Sequence, residues 1–130
     1  MRRIGIFLLL MVMLAGCSKK PEPVIRRVVT GVQVEYHRNG ETIFRNYTKL
    51  SSVESVLTYL RILRPFGPTH PKGEFDSSCR ITLRYNQGPD SVYLQQGNQY
   101  LQRDGGEWQN IDDSKGSLIY PLLLLLPSDG

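Results

Sequence analysis

The chain has 130 residues, 40% of them hydrophobic, with 16 Lys and Arg against 12 Asp and Glu for a formal charge of +4. That length fits one small domain and no more. No arginine-rich stripe or aromatic nucleic-acid motif accompanies the positive charge, so no nucleic acid partner is expected.

The first segment is a targeting signal. Arg2 and Arg3 precede an apolar core from Ile4 to Leu14, and the run Leu14-Ala15-Gly16-Cys17 closes it with small residues and a cysteine. A membrane span needs about 20 apolar residues; this run is shorter and meets Ser18-Lys19-Lys20-Pro21 at once. Leu14-Ala15-Gly16-Cys17 resembles the lipobox of bacterial lipoproteins. The resemblance covers the first 17 residues and implies cleavage before Cys17, with a diacylglycerol on its thiol. Membrane lipid then becomes a partner through acylated Cys17, because two or three acyl chains hold a protein where one gives marginal binding. It also implies a lipid-anchored, extracytoplasmic location on the cell membrane or outer membrane. Ser18 in place of aspartate favours the outer membrane where the organism has one. The alternative is an ordinary signal peptide that leaves Cys17 free and able to pair with Cys79. Residues 1–16 are therefore read as signal peptide, 17–27 as lipidated cysteine and tether, and 28–127 as a single globular domain. Removing Arg2 and Arg3 lowers the formal charge from +4 to +2.

In the tether, Pro21 and Pro23 favour extended backbone. Lys19 and Lys20 would each gain about 1 kcal/mol beside anionic lipid, or simply keep the tether soluble. Next, Val28–His37 and Thr42–Tyr47 flank Asn39-Gly40, the pair suited to a type I′ turn. A two-residue loop sets Tyr36 opposite Ile43, Val34 opposite Arg45 and Val32 opposite Tyr47. One face of this hairpin is then apolar but for Arg45, and Phe44 is the exception on the polar one.

A helix follows over residues 51–64. Ser51 and Glu54 have capping-box spacing, and Val53, Val56, Leu57, Leu60 and Leu63 form an apolar stripe. Arg61 and Arg64 suit the last turn and Pro65 stops it. The connection over residues 65–78 is long, with three prolines and two glycines. Such loops are often functional. Phe66 and Phe75 are expected to pin it to the core, leaving His70 and Lys72 near its tip as candidate binding residues; a plain crossover is the other reading.

Residues 79–86, 91–96, 98–103 and 107–111 read as a meander of short strands between turn signals. The alternation Cys79-Ile81-Leu83-Tyr85 points Cys79 inward, where a free thiol packs as a small hydrophobe. The outward positions are expected to carry Arg80, Arg84 and Tyr93, with Tyr100 as a further candidate. Tyrosine and arginine are enriched at interfaces, but composition alone favours a solvated face with Tyr93 packed across the arginine stems. Asp112-Asp113-Ser114 offers caps, and the leucine-rich run from Leu118 to Leu126 predicts a short buried helix starting near Ser117, with Pro121 in its first turn.

The fold class expected is α+β: an antiparallel sheet, made of the N-terminal hairpin plus the C-terminal meander, with one main helix and a short C-terminal helix on one face. Chemistry is sparse. His37 and His70 have no spaced partner, no His-x-x-x-His or Cys-x-x-Cys occurs, and no nucleophile elbow or phosphate loop is present. No metal, cofactor or enzymatic activity is expected. The function expected is that of a membrane-anchored envelope lipoprotein, a non-enzymatic binding module with an envelope protein partner. An inhibitor of an extracytoplasmic enzyme such as a cell-wall hydrolase, acting through the loop, and a structural envelope component are the alternatives.

Overall fold

Asn39 and Gly40 adopt φ of 48° and 79°, the pair of left-handed residues that a type I′ turn requires. They join β1 (Val29–Arg38) to β2 (Glu41–Tyr47) in the register read from the sequence, with Tyr36 opposite Ile43, Val34 opposite Arg45 and Val32 opposite Tyr47. The structure, a computed structural model, describes residues 27–129. The segment expected to be a signal, Cys17 and the expected tether up to residue 26 lie outside the described residues.

Beyond the hairpin come α1 (Leu50–Leu63), a two-residue β3 (Pro68–Thr69), then β4 (Ser77–Tyr85), β5 (Ser91–Gln96), β6 (Tyr100–Arg103) and β7 (Trp108–Asn110). Two short helices end the fold, α2 (Asp113–Gly116) and α3 (Ile119–Leu125). The strands make one seven-stranded sheet in the order β2-β1-β4-β5-β6-β7-β3, and every pairing is antiparallel. The fold is α+β, with the helices packed on one face.

That covered face is the core. Val32, Val34 and Tyr36 of β1, Ile43 and Tyr47 of β2, and Cys79, Ile81 and Leu83 of β4 meet Val53, Val56, Tyr59 and Leu63 of α1 and Ile119 and Leu123 of α3. Each fully buried aliphatic side chain contributes about 1.5–3 kcal/mol by leaving water. The buried stripe of α1 is rotated from the expected one. Ser52 and Tyr59 are inside, while Leu57 and Leu60 are only partly buried. The cause is polar. The Tyr59 hydroxyl donates to Gln95 Oε1 and to the Gly116 carbonyl (3.1 Å), and Gln95 Nε2 donates to the Gly97 and Gly116 carbonyls, both at 3.0 Å. A buried hydroxyl must find partners, and this one turns the helix to do so.

The expected capping box does not form. Lys49 is the N-cap and makes no side-chain cap bond, Ser51 and Glu54 are exposed, and Glu54 pairs with Arg61 at 3.6 Å. Instead Asp129 Oδ1 accepts from the backbone N–H groups of Thr48 and Lys49. The Ser52 hydroxyl and these amides hold the Asp129 carboxyl below the usual carboxylate range. A distant carboxylate thus stands at the positive end of α1, where a local one was expected.

Two further expectations need correction. Phe66 is not pinned to the core but is 70% exposed, whereas Phe75 is half-buried edge-on to Tyr100 at 5.5 Å. Backbone bonds do the pinning: Phe66 N–H to the Asn110 carbonyl (3.0 Å), Asn110 N–H to the Gly67 carbonyl (2.7 Å), and β3 along β7. The leucine-rich end is helical with Pro121 in its first turn, yet only half-buried. Ile119 and Leu123 face the core, while Leu118, Leu124 and Leu125 face water.

Candidate functional site

Side chains alternate across a strand, so the face opposite the helices carries the other half of every strand. No described element crosses it. Because register is fixed on every strand, its residues fall into straight rows. One row runs across six neighbouring strands as Phe44–Glu35–Arg80–Leu94–Gln102–Trp108 and meets Thr69 on the seventh. The adjacent row is Thr42–His37–Ser78–Gln96–Tyr100–Asn110. On the other side lie Asn46, Gln33, Thr82 and Val92. The open face is therefore built mainly of amides and hydroxyls, with few charges and an aromatic ring toward each end of its central row.

At its centre is a hollow of about 210 Å³ lined by Glu35, His37, Ser78, Arg80, Leu94, Gln96 and Trp108. His37 organises one wall. Its Nε2 lies 3.0 Å from Glu35 Oε1 and its Nδ1 lies 3.0 Å from Thr42 Oγ1. Hydroxyl, imidazole and carboxylate in line have the order of a nucleophilic relay. These three groups stand on an exposed strand surface, however, without the water-excluded surroundings on which oxyanion stabilisation depends. The string orders Glu35 and draws it toward His37. Arg80 is exposed, and among the described residues no carboxylate pairs with it.

The residues expected from sequence divide. Arg80 and Arg84 are on the open face, but Arg84 lies opposite Gly31, outside the hollow. Tyr93 is not there at all. It pairs with Ile81 on the helix-covered side, half-buried, with the Arg103 guanidinium 5.7 Å from its ring centre. Val92 and Leu94 take the outward places, opposite Thr82 and Arg80. The alternation within β5 was legible, but not its phase against β4, because the four-residue turn Gln87–Asp90 leaves the register free. His70 and Lys72 are exposed at the β3 end and line no part of the hollow. Lys72 instead borders a separate depression of about 320 Å³ with Glu74, Asp76 and Tyr100.

Sequence reasoning missed Trp108, Glu35, His37 and Leu94 as one group. The available signal was Phe44, a large apolar side chain on the polar side of the hairpin, which is 63% exposed. Comparison with protein-family models, with curated proteins and with solved structures found no match for this chain.

A larger cleft of about 560 Å³ lies between the end of α1 and α2, floored by Ile62, Leu63 and Ile111. Two of the polar residues that line it, Asp112 and Asn110, hold the local structure. Asp112 caps α2 by accepting from the Ser114 N–H (2.9 Å) and hydroxyl (2.7 Å), and Asn110 is bonded through its backbone to residues 66 and 67. Cys79 is buried beneath the sheet, and burial, with Glu35 nearby, pushes its thiol up to about 12. It is thus a protonated, shielded group at neutral pH. Among the described residues no three metal-ligating side chains are grouped to hold an ion.

Proposed function

We propose that this protein is a membrane-anchored lipoprotein of the bacterial envelope that works as a non-enzymatic binding module, with the open sheet face as its binding surface. The observation that carries the reading is the row Phe44–Glu35–Arg80–Leu94–Gln102–Trp108, which sets aromatic, cationic and amide groups side by side with nothing described above them. Exposed aromatic and arginine side chains with surrounding hydrogen-bonding groups are the ordinary makings of a recognition surface. The anchor rests on Leu14-Ala15-Gly16-Cys17. No helix among the described residues is long and apolar enough to cross a membrane. The loop over residues 65–78 is a weaker candidate for insertion into an enzyme's cleft, because β3 straps it to β7.

The anchor predicts that Cys17→Ala abolishes incorporation of labelled fatty acid and leaves the protein unprocessed or released from membranes. Normal labelling of that variant would refute the anchor. For the surface, a photo-crosslinking amino acid is placed in the full chain at Phe44, at Gln102, or at Thr58 on the exposed side of α1. Irradiation in the native envelope is expected to give adducts from the first two positions and none from the third. Adducts from Thr58 alone, or from all three equally, would overturn the choice of face.

A further inference from the structure

We infer that the ligand of the open face is a linear glycan whose sugars carry N-acetyl and carboxylate groups. This rests on the binding-module reading and adds the chemistry of what is bound.

Charge comes first. Arg80 is the one permanent cation lining the hollow, and the single acid beside it, Glu35, lies within hydrogen-bonding distance of His37. Among the described residues Arg80 has no ion-pair partner. A guanidinium fork with a free edge matches a carboxylate bidentately. The hollow therefore complements one negative group, not a dense polyanion.

Its surroundings specify the rest of the ligand. Gln96 presents a donor and an acceptor, which is the complement of an acetamido group, and Gln102, whose Nε2 donates to the Gly106 carbonyl at 2.9 Å, turns its carbonyl to the same row as a further acceptor. Leu94, between Arg80 and Gln102 in the row, offers the acetyl methyl an apolar seat. Trp108 and Phe44 supply flat apolar surfaces on which the C–H face of a sugar ring is removed from water. They stand five strand spacings apart, roughly 24 Å at the usual separation of neighbouring strands, which is room for a short oligosaccharide laid across the strands.

A peptide is disfavoured by the state of the edges. Extended peptides bind sheets chiefly by adding a strand to an edge. At the β2 edge the Asn46 N–H donates to Ser128 Oγ and the Asn46 carbonyl accepts from Asp129 N–H, both at 3.0 Å. The opposite edge is β3, two residues long.

Trp108 is the sole tryptophan of the chain, so its emission reports on the hollow alone. The full protein is titrated with a peptide-free tetrasaccharide of alternating N-acetylglucosamine and N-acetylmuramic acid, and with tetra-N-acetylchitotetraose, which has the acetamido groups but no carboxylate. The expected result is a saturable change in emission with the first, at least about tenfold tighter than with the second, as a lost charge-assisted bond implies. Arg80→Ala should bring the two affinities together, chiefly by weakening the carboxylate-bearing glycan, and Arg80→Lys should restore part of the difference. Thermal melts establish that these surface variants remain folded. Equal affinity for the two glycans, or an Arg80→Ala variant that binds like the wild type, would overturn the inference. So would a wild type that binds neither glycan or takes an acidic decapeptide instead. If crosslinks from Phe44 and Gln102 still form in the envelope in such a case, the open face stands and only the glycan is wrong. If they do not, the binding-module reading fails with it.

Discussion

Val56→Asp is expected to leave the domain unfolded or barely folded at 25 °C, while Leu57→Asp, one residue on, is expected to leave it folded. Val56 is wholly buried between α1 and the sheet, whereas Leu57 is only partly covered. At Val56 the substitution removes about 1.5–3 kcal/mol of apolar burial. It also forces a carboxyl into a site with no partner, at a further cost of several kcal/mol whether the group stays charged or takes up a proton. Against a total stability of about 5–15 kcal/mol for a small domain, that sum is decisive. At Leu57 the carboxylate can turn toward water, and the loss should stay near 1–2 kcal/mol. Urea denaturation followed by far-UV circular dichroism compares the two. A larger loss at Leu57 than at Val56 would mean that α1 presents the stripe read from apolar spacing alone, with Tyr59 outside.

The second large effect belongs to a glycine. A Cβ on Gly116 would lie 2.1 Å from the Asn98 carbonyl oxygen and 2.8 Å from its carbon. Both are backbone atoms in the turn between β5 and β6, so neither can swing aside. Gly116 also offers the carbonyl that receives Tyr59 and Gln95, so pushing α2 outward breaks the buried polar cluster as well. Gly116→Ala should therefore cost about 3 kcal/mol or more, a fall of more than about 10 °C in Tm for a domain of this size. Gly105→Ala is the matched control. Its φ of 71° strains an alanine, but nothing lies within 4 Å, and its cost should stay near 1–2 kcal/mol. Equal melting temperatures for the two variants would mean that α2 does not press on the β5–β6 turn.

What the sequence disclosed, and what it withheld, follows the range of the forces involved. The hairpin was readable to the residue because Asn39-Gly40 fixes a local turn and the turn fixes the register. The existence of α1 was readable from its apolar period. Its rotation was not, because it depends on the Tyr59 hydroxyl meeting Gln95 and Gly116, 36 and 57 residues away. Likewise the cap on α1 comes from Asp129, which no local pattern announces. Arg80 and Arg84 could be placed outward from the alternation within β4. Tyr93 could not be placed, since alternation gives two phases and only cross-strand register chooses between them. The central row is the extreme case. Its six members share no motif, and they become neighbours only once five strand pairings are set.

The attachment of residues 126–129 has a bearing on the order of events during folding. The Tyr47 hydroxyl donates to the Leu126 carbonyl, Arg45 Nε donates to the Leu123 carbonyl, and Asp129 closes the start of α1. These bonds join positions about 80 residues apart, and the elements they complete are among the earliest in the chain. Contacts of such sequence separation form late and slow the search for the native state. The hairpin and α1 thus remain unfinished until the far end of the domain is present. For a chain that must cross a membrane as an unfolded thread, as the proposed anchor requires, that delay works in favour of export.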